Sequence, residues 1–323
     1  MTNIRLRLMS LKRVSLVISS KILNQQTDNG YWPLLRFRIQ GALYLMYYNL
    51  HSHTNFCDGT HNPSEYVEAA IRSGLKTYGY SSHAPVPFDS AWNMKEKDLT
   101  KYLSVINSIK TKYNGQIEIY CGLEADYIPD AVLPSNLKAI YDLDYVIGSI
   151  HFIVPLGDCP LFEADGPLKT FQEGVNNCYN GDYPKAVKRY FELTRKMIEE
   201  SCPDIVGHLD KIKKHNKTAE LFSESDPWYQ DEIRQTLDVI ENKKVIVEVN
   251  TRGLYKNLVS DTYPSAWILE EMFKRDIEIT LSSDAHHPKE ITGCFEFAIR
   301  QLKSVGYRFQ QTIVNGSWQK VPI

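Results

Sequence analysis

Residues 46–54, Met46-Tyr47-Tyr48-Asn49-Leu50-His51-Ser52-His53-Thr54, decide the fold. They read as a short aromatic strand that stops at two imidazoles. Strand side chains alternate, so His51 and His53, at i and i+2, share one face. Two neutral imidazoles on a rigid face are suited to gripping one divalent ion. Ser282-Ser283-Asp284-Ala285-His286 repeats the spacing with an oxygen and a nitrogen donor. Asp58, His83, Glu124, His151 and His208 also fall at or just past the ends of β-branched or aromatic runs. Any one of these residues could be a packed or solvated side chain. Their ordered recurrence instead points to a multinuclear metal site, whose N/O donor set suits zinc, iron and manganese alike.

Strand-like runs at 46–50, 77–82, 117–123, 144–150, 204–207, 245–250 and 277–282 alternate with helical patterns at 63–73, 96–113, 184–200, 227–242 and 264–275. The first helix carries its own boundaries: Asn62 as N-cap, Pro63 at the first helical position, Glu65 at the third, and Gly74 to close. Such alternation predicts a parallel α/β architecture. On that skeleton His51/His53, His83, Glu124, His151, His208, Asn250/Arg252 and Asp284/His286 each mark the C-terminal end of one strand, where strand-and-helix barrels build their active sites. The stretch 153–183, with Gly157, Pro160, Gly166, Pro167, Gly174 and Gly181, is expected to be a long irregular cover over that rim.

Composition narrows the function. The 323 residues are 43% hydrophobic and 24% charged, an ordinary globular balance that one large domain can accommodate. Residues 1–45 hold seven of the 37 Lys/Arg and one of the 39 Asp/Glu, so the remainder carries a net charge of about −8. A nucleic-acid-tracking surface needs clustered cations, so no nucleic-acid partner is expected. The basic segment 1–45 has no apolar run long enough for a membrane span. It is expected to be an extension that adds little to a core running from 46 to 323. The six cysteines (57, 121, 159, 178, 202, 294) form no CxxC pair and no dense framework. Reduced thiols and a cytoplasmic location are therefore expected, with Cys57 a small buried filler rather than a ligand.

The ordered set His51-Ser52-His53-Thr54, Asp58, His83, Glu124, His151, His208 and Asp284-Ala285-His286 resembles the PHP family (polymerase and histidinol phosphatase) over roughly residues 46–315. The resemblance implies a distorted seven-stranded (β/α)7 barrel with three divalent ions. One ion would be held by His51, His53, Glu124 and Asp284. A second, bridged by Glu124, would lie on His151 and His208, and a third on Asp58, His83 and His286. Gly122-Leu123-Glu124-Ala125-Asp126, Gly148-Ser149-Ile150-His151-Phe152 and Glu248-Val249-Asn250-Thr251-Arg252-Gly253-Leu254-Tyr255-Lys256 are similar to the histidinol-phosphatase branch.

That branch implies hydrolysis of L-histidinol phosphate, a small phosphorylated substrate of histidine biosynthesis, by attack of a metal-bridging hydroxide on phosphorus. Arg252 and Lys256 would then meet the phosphate, as a guanidinium fork and a point charge, with Arg189 as a further candidate. Asp284 or a nearby histidine such as His286 would protonate the leaving alkoxide. Glu163, Asp165 or Glu173 on the cover would meet the substrate's ammonium and imidazole. A hydrolase of nucleotide or oligonucleotide 5′-phosphates is the rival reading, and a non-catalytic metal-binding module the third. Of the remaining histidines, His215 reads as part of a solvated basic loop, while His61 and His287 read equally as structural or as neighbours of the site.

Overall fold

The structure is a computed structural model that describes residues 47–323 and a short antiparallel pairing of Arg38–Ile39 with Ala42–Leu43. The expectation for residues 1–45 lies otherwise outside the described residues. Seven strands form one parallel sheet in chain order: β1 (Tyr47–Asn49), β2 (Leu75–Tyr80), β3 (Glu118–Asp126), β4 (Tyr145–Ser149), β5 (Ile205–Val206), β6 (Ile246–Asn250) and β7 (Ile279–Ser282). All seven expected strands are present. The sheet closes just beyond the ends of β1 and β7, where His53 N donates to Ala285 O at 2.8 Å and Ser52 bridges Ala285. That seam is what places the His51/His53 pair beside Asp284 and His286.

Helices α1 (Pro63–Arg72), α2 (Glu96–Lys112), α3 (Pro134–Tyr141), α4 (Leu168–Tyr179), α5 (Tyr183–Glu200), α6 (Pro227–Lys243), α7 (Ala266–Lys274) and α8 (Phe295–Val305) surround the sheet. Asn62 N donates to Glu65 Oε1 at 3.3 Å at the start of α1, and Gly74 turns the chain out of it with φ +75°. One apolar core joins α4 to α8 to the later strands, and a second joins α1 and α2 to the earlier ones. No helix among the described residues is long and apolar enough to cross a membrane.

Leu50, Tyr120, Tyr145, Ile147 and Ile205 fill the barrel interior. Gly79 and Gly122 make room for Tyr145, since a Cβ at either position would overlap its phenol ring. The Tyr145 hydroxyl donates to Leu50 O, with Tyr80 O 3.0 Å away. Tyr145→Phe keeps the volume but strands buried carbonyls, so a loss of about 1–3 kcal/mol is expected. It should appear as a lower urea midpoint with an unchanged denaturant slope; a midpoint equal to the parent's would show that the carbonyls find other donors.

Opposite the histidine-bearing rim the barrel is plugged by the C-terminal hairpin β8 (Phe309–Val314) and β9 (Ser317–Pro322), which the sequence reading missed. Ile313 joins the interior cluster, and Thr77 Oγ1 donates to Ile313 O at 3.0 Å. The stretch 153–183 is also more ordered than expected. It begins in a small hairpin, Phe152–Ile153 with Phe162–Glu163, and continues into α4, where Gly174 admits the Phe162 ring. Cys159 and Cys178 form a disulfide across it, contrary to the expectation of reduced thiols. Their spacing of 19 matches no recognisable cysteine pattern, so only the fold brings them together.

Candidate metal centre

Glu124 stands in the middle of the rim, 1% exposed, at the point where β3 reaches its C-terminal end. Its two oxygens face two different groups. Oε2 lies 3.1 Å from His51 Nε2, 3.3 Å from His53 Nε2 and 3.2 Å from His83 Nδ1. Oε1 lies 2.9 Å from His208 Nε2 and 3.5 Å from His151 Nε2, and accepts from Ser149 Oγ at 2.6 Å. Asp284 Oδ1 lies 3.1 Å from His53 Nε2 and 3.7 Å from His51 Nε2. Asp58 lies on the far side of His53: His286 Nε2 is 3.1 Å from its Oδ2, and His53 Nδ1 and His83 Nε2 are 3.8 and 3.9 Å from its Oδ1. The nine expected residues thus meet at one rim: His53, Asp58, His83 and His286, then His51, His53 and Asp284, then His83, Glu124 and His151 form overlapping groups that could each hold an ion, and His208 adjoins them through Glu124 Oε1. Asp284 adopts φ 53°, a left-handed conformation that Asp tolerates better than most residues, and the chain then continues to His286.

Hydrogen bonding and charge suit these atoms to hold a cation rather than only to pair with one another. His51 Nδ1 donates to Glu248 Oε1 at 2.5 Å and His151 Nδ1 to Asp126 Oδ1 at 2.7 Å. An ionised carboxylate only accepts, so each ring carries a proton on Nδ1 and Nε2 is the atom it turns inward, available as a ligand once any proton there is displaced. Inward-facing pairs of nitrogens result, 3.0 Å apart for His51 with His53 and 3.2 Å for His151 with His208, beside carboxylate oxygens that are also acceptors. Asp284 Oδ1 and His83 Nδ1 are buried without a hydrogen-bond partner. Lone pairs converging on buried points are the donor arrangement of a metal centre, because only cations satisfy them all.

Burial, followed by the His286 charge, lowers His53 to about 4, and burial also lowers His83 to about 4, which keeps both imidazoles neutral. At His151 burial also disfavours the cation, but Asp126 and Glu124 outweigh it and raise the ring to about 9. Metal must displace that proton on binding. Burial alone would raise the Asp284 carboxyl, yet His51 and Arg252 hold it well below the usual range.

Around this core the structure places the expected substrate residues differently from one another. Arg252 lies at the rim, its guanidinium donating to Asp284 O at 3.0 Å and standing 2.7 Å from His286 Nδ1. Lys256 is half-exposed and ion-paired with Glu290, which also receives His286 N at 3.0 Å. Arg189 is committed elsewhere, donating to Val154 O at 2.7 Å and pairing with Glu192 at 2.9 Å. Of the cover acids, Asp165 reaches the site by pairing with Lys211 at 3.0 Å, whereas Glu173 is exposed and pairs with Lys169. Glu163 stands between, opposite Phe152 in the small hairpin.

Lys211 is the residue that sequence reasoning missed. Its buried ammonium lies 3.4 and 3.5 Å from the Nε2 atoms of His151 and His208. Burial disfavours its charge, but Asp165, Asp284 and Glu124 keep it protonated. Its position three residues after His208 was the available signal. The outer carboxylates Glu248 and Asp126 were missed as roles although both lie in motifs noted above. His215 is buried and stacked on Phe171, with centroids 5.6 Å apart, and Lys213 beside it is buried against Asp210 at 2.7 Å, so this segment is not a solvated basic loop. His287 Nδ1 accepts from Lys289 N at 3.0 Å and caps a short turn; His61 stacks edge-on against it. Cys57 lies 3.5 Å from His53 Nδ1, close to the centre but outside the converging set.

A closed parallel barrel whose strand ends converge on clustered imidazoles and carboxylates defines a metal-dependent enzyme scaffold. Residues 49–252 match the PHP domain model, and the chain belongs to the PHP family. It is 30% identical over 263 residues to the "Probable histidinol-phosphatase" of Deinococcus radiodurans, covering 80% of this chain and 93% of that one. It is 29% identical over 271 residues to the histidinol-phosphatase of Bacillus subtilis, covering 76% and 96%. The same fold occurs in the Lactococcus lactis histidinol phosphate phosphatase solved with zinc, L-histidinol and phosphate, at a TM-score of 0.64 and 21% identity over 84% of this chain and 98% of that one.

Proposed function

We propose that the protein hydrolyses L-histidinol phosphate to L-histidinol and inorganic phosphate. The observation that carries this reading is Glu124, with one oxygen toward His51, His53 and His83 and the other toward His151 and His208. Similarity to histidinol-phosphatases along nearly their whole length supports the substrate. We assign three ions, of zinc, iron or manganese: one to His51, His53, Glu124 and Asp284, a second to Glu124, His151 and His208, and a third to Asp58, His83 and His286. When bound, such ions lower the pKa of a coordinated water and polarise phosphoryl oxygens.

The chain's own groups then orient and neutralise. Arg252, fixed by Asp284 O, and Lys211, fixed by Asp165, flank the centre as cations toward which the phosphate is drawn. Held ionised and turned toward His51 and His53, Asp284 is a poor proton donor to the leaving alkoxide, the role expected from sequence. Glu163 on the cover is the acid left to meet the substrate's cationic end, because Asp165 is paired with Lys211.

Steady-state assays on chelator-treated protein restored with zinc or manganese test the reading. Turnover of histidinol phosphate should vanish on treatment, return on restoration, and exceed that of nucleoside monophosphates by at least about tenfold in kcat/KM, a difference of ~1.4 kcal/mol. A reversed preference would favour the nucleotide hydrolase, and no turnover of any phosphomonoester would favour the non-catalytic module.

A further inference from the structure

Glu248 accepts four hydrogen bonds while remaining fully buried. His51 Nδ1 and Ser282 Oγ each donate to Oε1 at 2.5 Å, and His208 N and Asn250 Nδ2 donate to Oε2 at 2.8 and 3.0 Å. Its donors come from the ends of β1, β5, β6 and β7, so one carboxylate ties together four strand ends. Among the described residues no other outer carboxylate at this rim has that reach: Asp126 is bonded to His151 and Asn93.

We propose that Glu248 is a positioning residue that couples the two sides of the centre, holding His51 by its ring and His208 by its backbone. The inference rests on the metal centre of the preceding section but not on its substrate. His51 and His208 approach opposite oxygens of Glu124. A group fixed to both sets the separation of the ion sites that Glu124 spans. Asn250 strengthens the tie, because its Nδ2 also lies 3.2 Å from Asp284 Oδ2. Ser282 and Asn250 saturate the remaining lone pairs, so the carboxylate cannot rotate away from either histidine without leaving a buried donor unpaired.

The distinction from a merely structural acid lies in metal binding, read without any substrate. Full-length protein loaded with zinc is exposed to a chelator concentration that strips nothing from the parent, and the zinc retained per chain is counted. Asp126→Asn, which among the proposed ligands disturbs His151 alone, should lose one ion. Glu248→Gln, whose amide can accept from only one side, should lose two, with affinities down about 10- to 100-fold. Its metal-free form should melt below the metal-free parent, since buried donors lose their acceptor, yet stay folded at the assay temperature. Loss of no ion or of one ion by Glu248→Gln overturns the coupling, as does a melting drop large enough to account for the metal loss. If that variant does not fold, Glu248→Asp, too short to reach both histidines, should show the same double loss, and parental zinc retention there overturns the proposal equally. A protein that passes this test yet hydrolyses no phosphomonoester would refute the proposed function and leave the coupling intact.

Discussion

Glu124→Ala should lower kcat/KM for histidinol phosphate by about 10³-fold or more, a loss of ~4 kcal/mol of transition-state stabilisation. The size follows from position. Five imidazole nitrogens lie within 3.5 Å of its two oxygens, and among the described residues no other carboxylate faces both histidine groups. Truncation leaves those imidazoles without their shared anion and removes a ligand from two ion sites together. Metal content should therefore fall along with activity, and added zinc should restore little of either. Glu124→Gln separates charge from volume: it keeps the shape and one acceptor oxygen but turns an N–H₂ toward ring nitrogens that need a ligand. It should lose nearly as much as Glu124→Ala. Either variant retaining full metal content and activity within tenfold of the parent would remove Glu124 from the centre and with it the bridging arrangement.

The rim was legible because its chemistry repeats. Each ligand follows a run of β-branched or aromatic residues, and small residues such as Ser52, Ser82, Ser149 and Gly207 stand beside the histidines. Runs of β-branched and aromatic residues alternating with helical patterns predicted seven strands of a parallel sheet, all seven of which are present. What stayed hidden depends on tertiary burial. Lys211 carries no local mark of its role until Asp165 is brought to it from the cover, and Lys213, paired locally with Asp210, is buried only by the fold around it. Glu248 looks like any acid in a strand, because nothing local reveals that donors from four strand ends converge on it. The hairpin β8–β9 packs one face against the barrel floor, so its short alternation carried little signal. Helix α4 was obscured by Pro167 at its N-cap and by Gly174 within it, where the missing side chain admits the Phe162 ring.

Arg252→Ala should lower kcat/KM by about 10²- to 10³-fold, the scale set by removing one preorganised group that stabilises transition-state charge. Arg252 is held before substrate arrives: its backbone N donates to Asn250 Oδ1 at 2.8 Å and its guanidinium to Asp284 O at 3.0 Å. Burial opposes its charge, but Asp284 more than compensates, so the cation persists across the working pH range. Two roles remain to be separated, direct neutralisation of phosphate and support of Asp284 and His286. Direct contact predicts that Arg252→Ala retains its metal while inorganic phosphate becomes a weaker competitive inhibitor. Support alone predicts metal loss with phosphate inhibition unchanged, and that result would take Arg252 out of the substrate site. Arg252→Lys should recover no more than about tenfold, since an ammonium keeps the charge but not the fork. Lys256→Ala should cost far less than either, because that ammonium is half-exposed and already spent on Glu290.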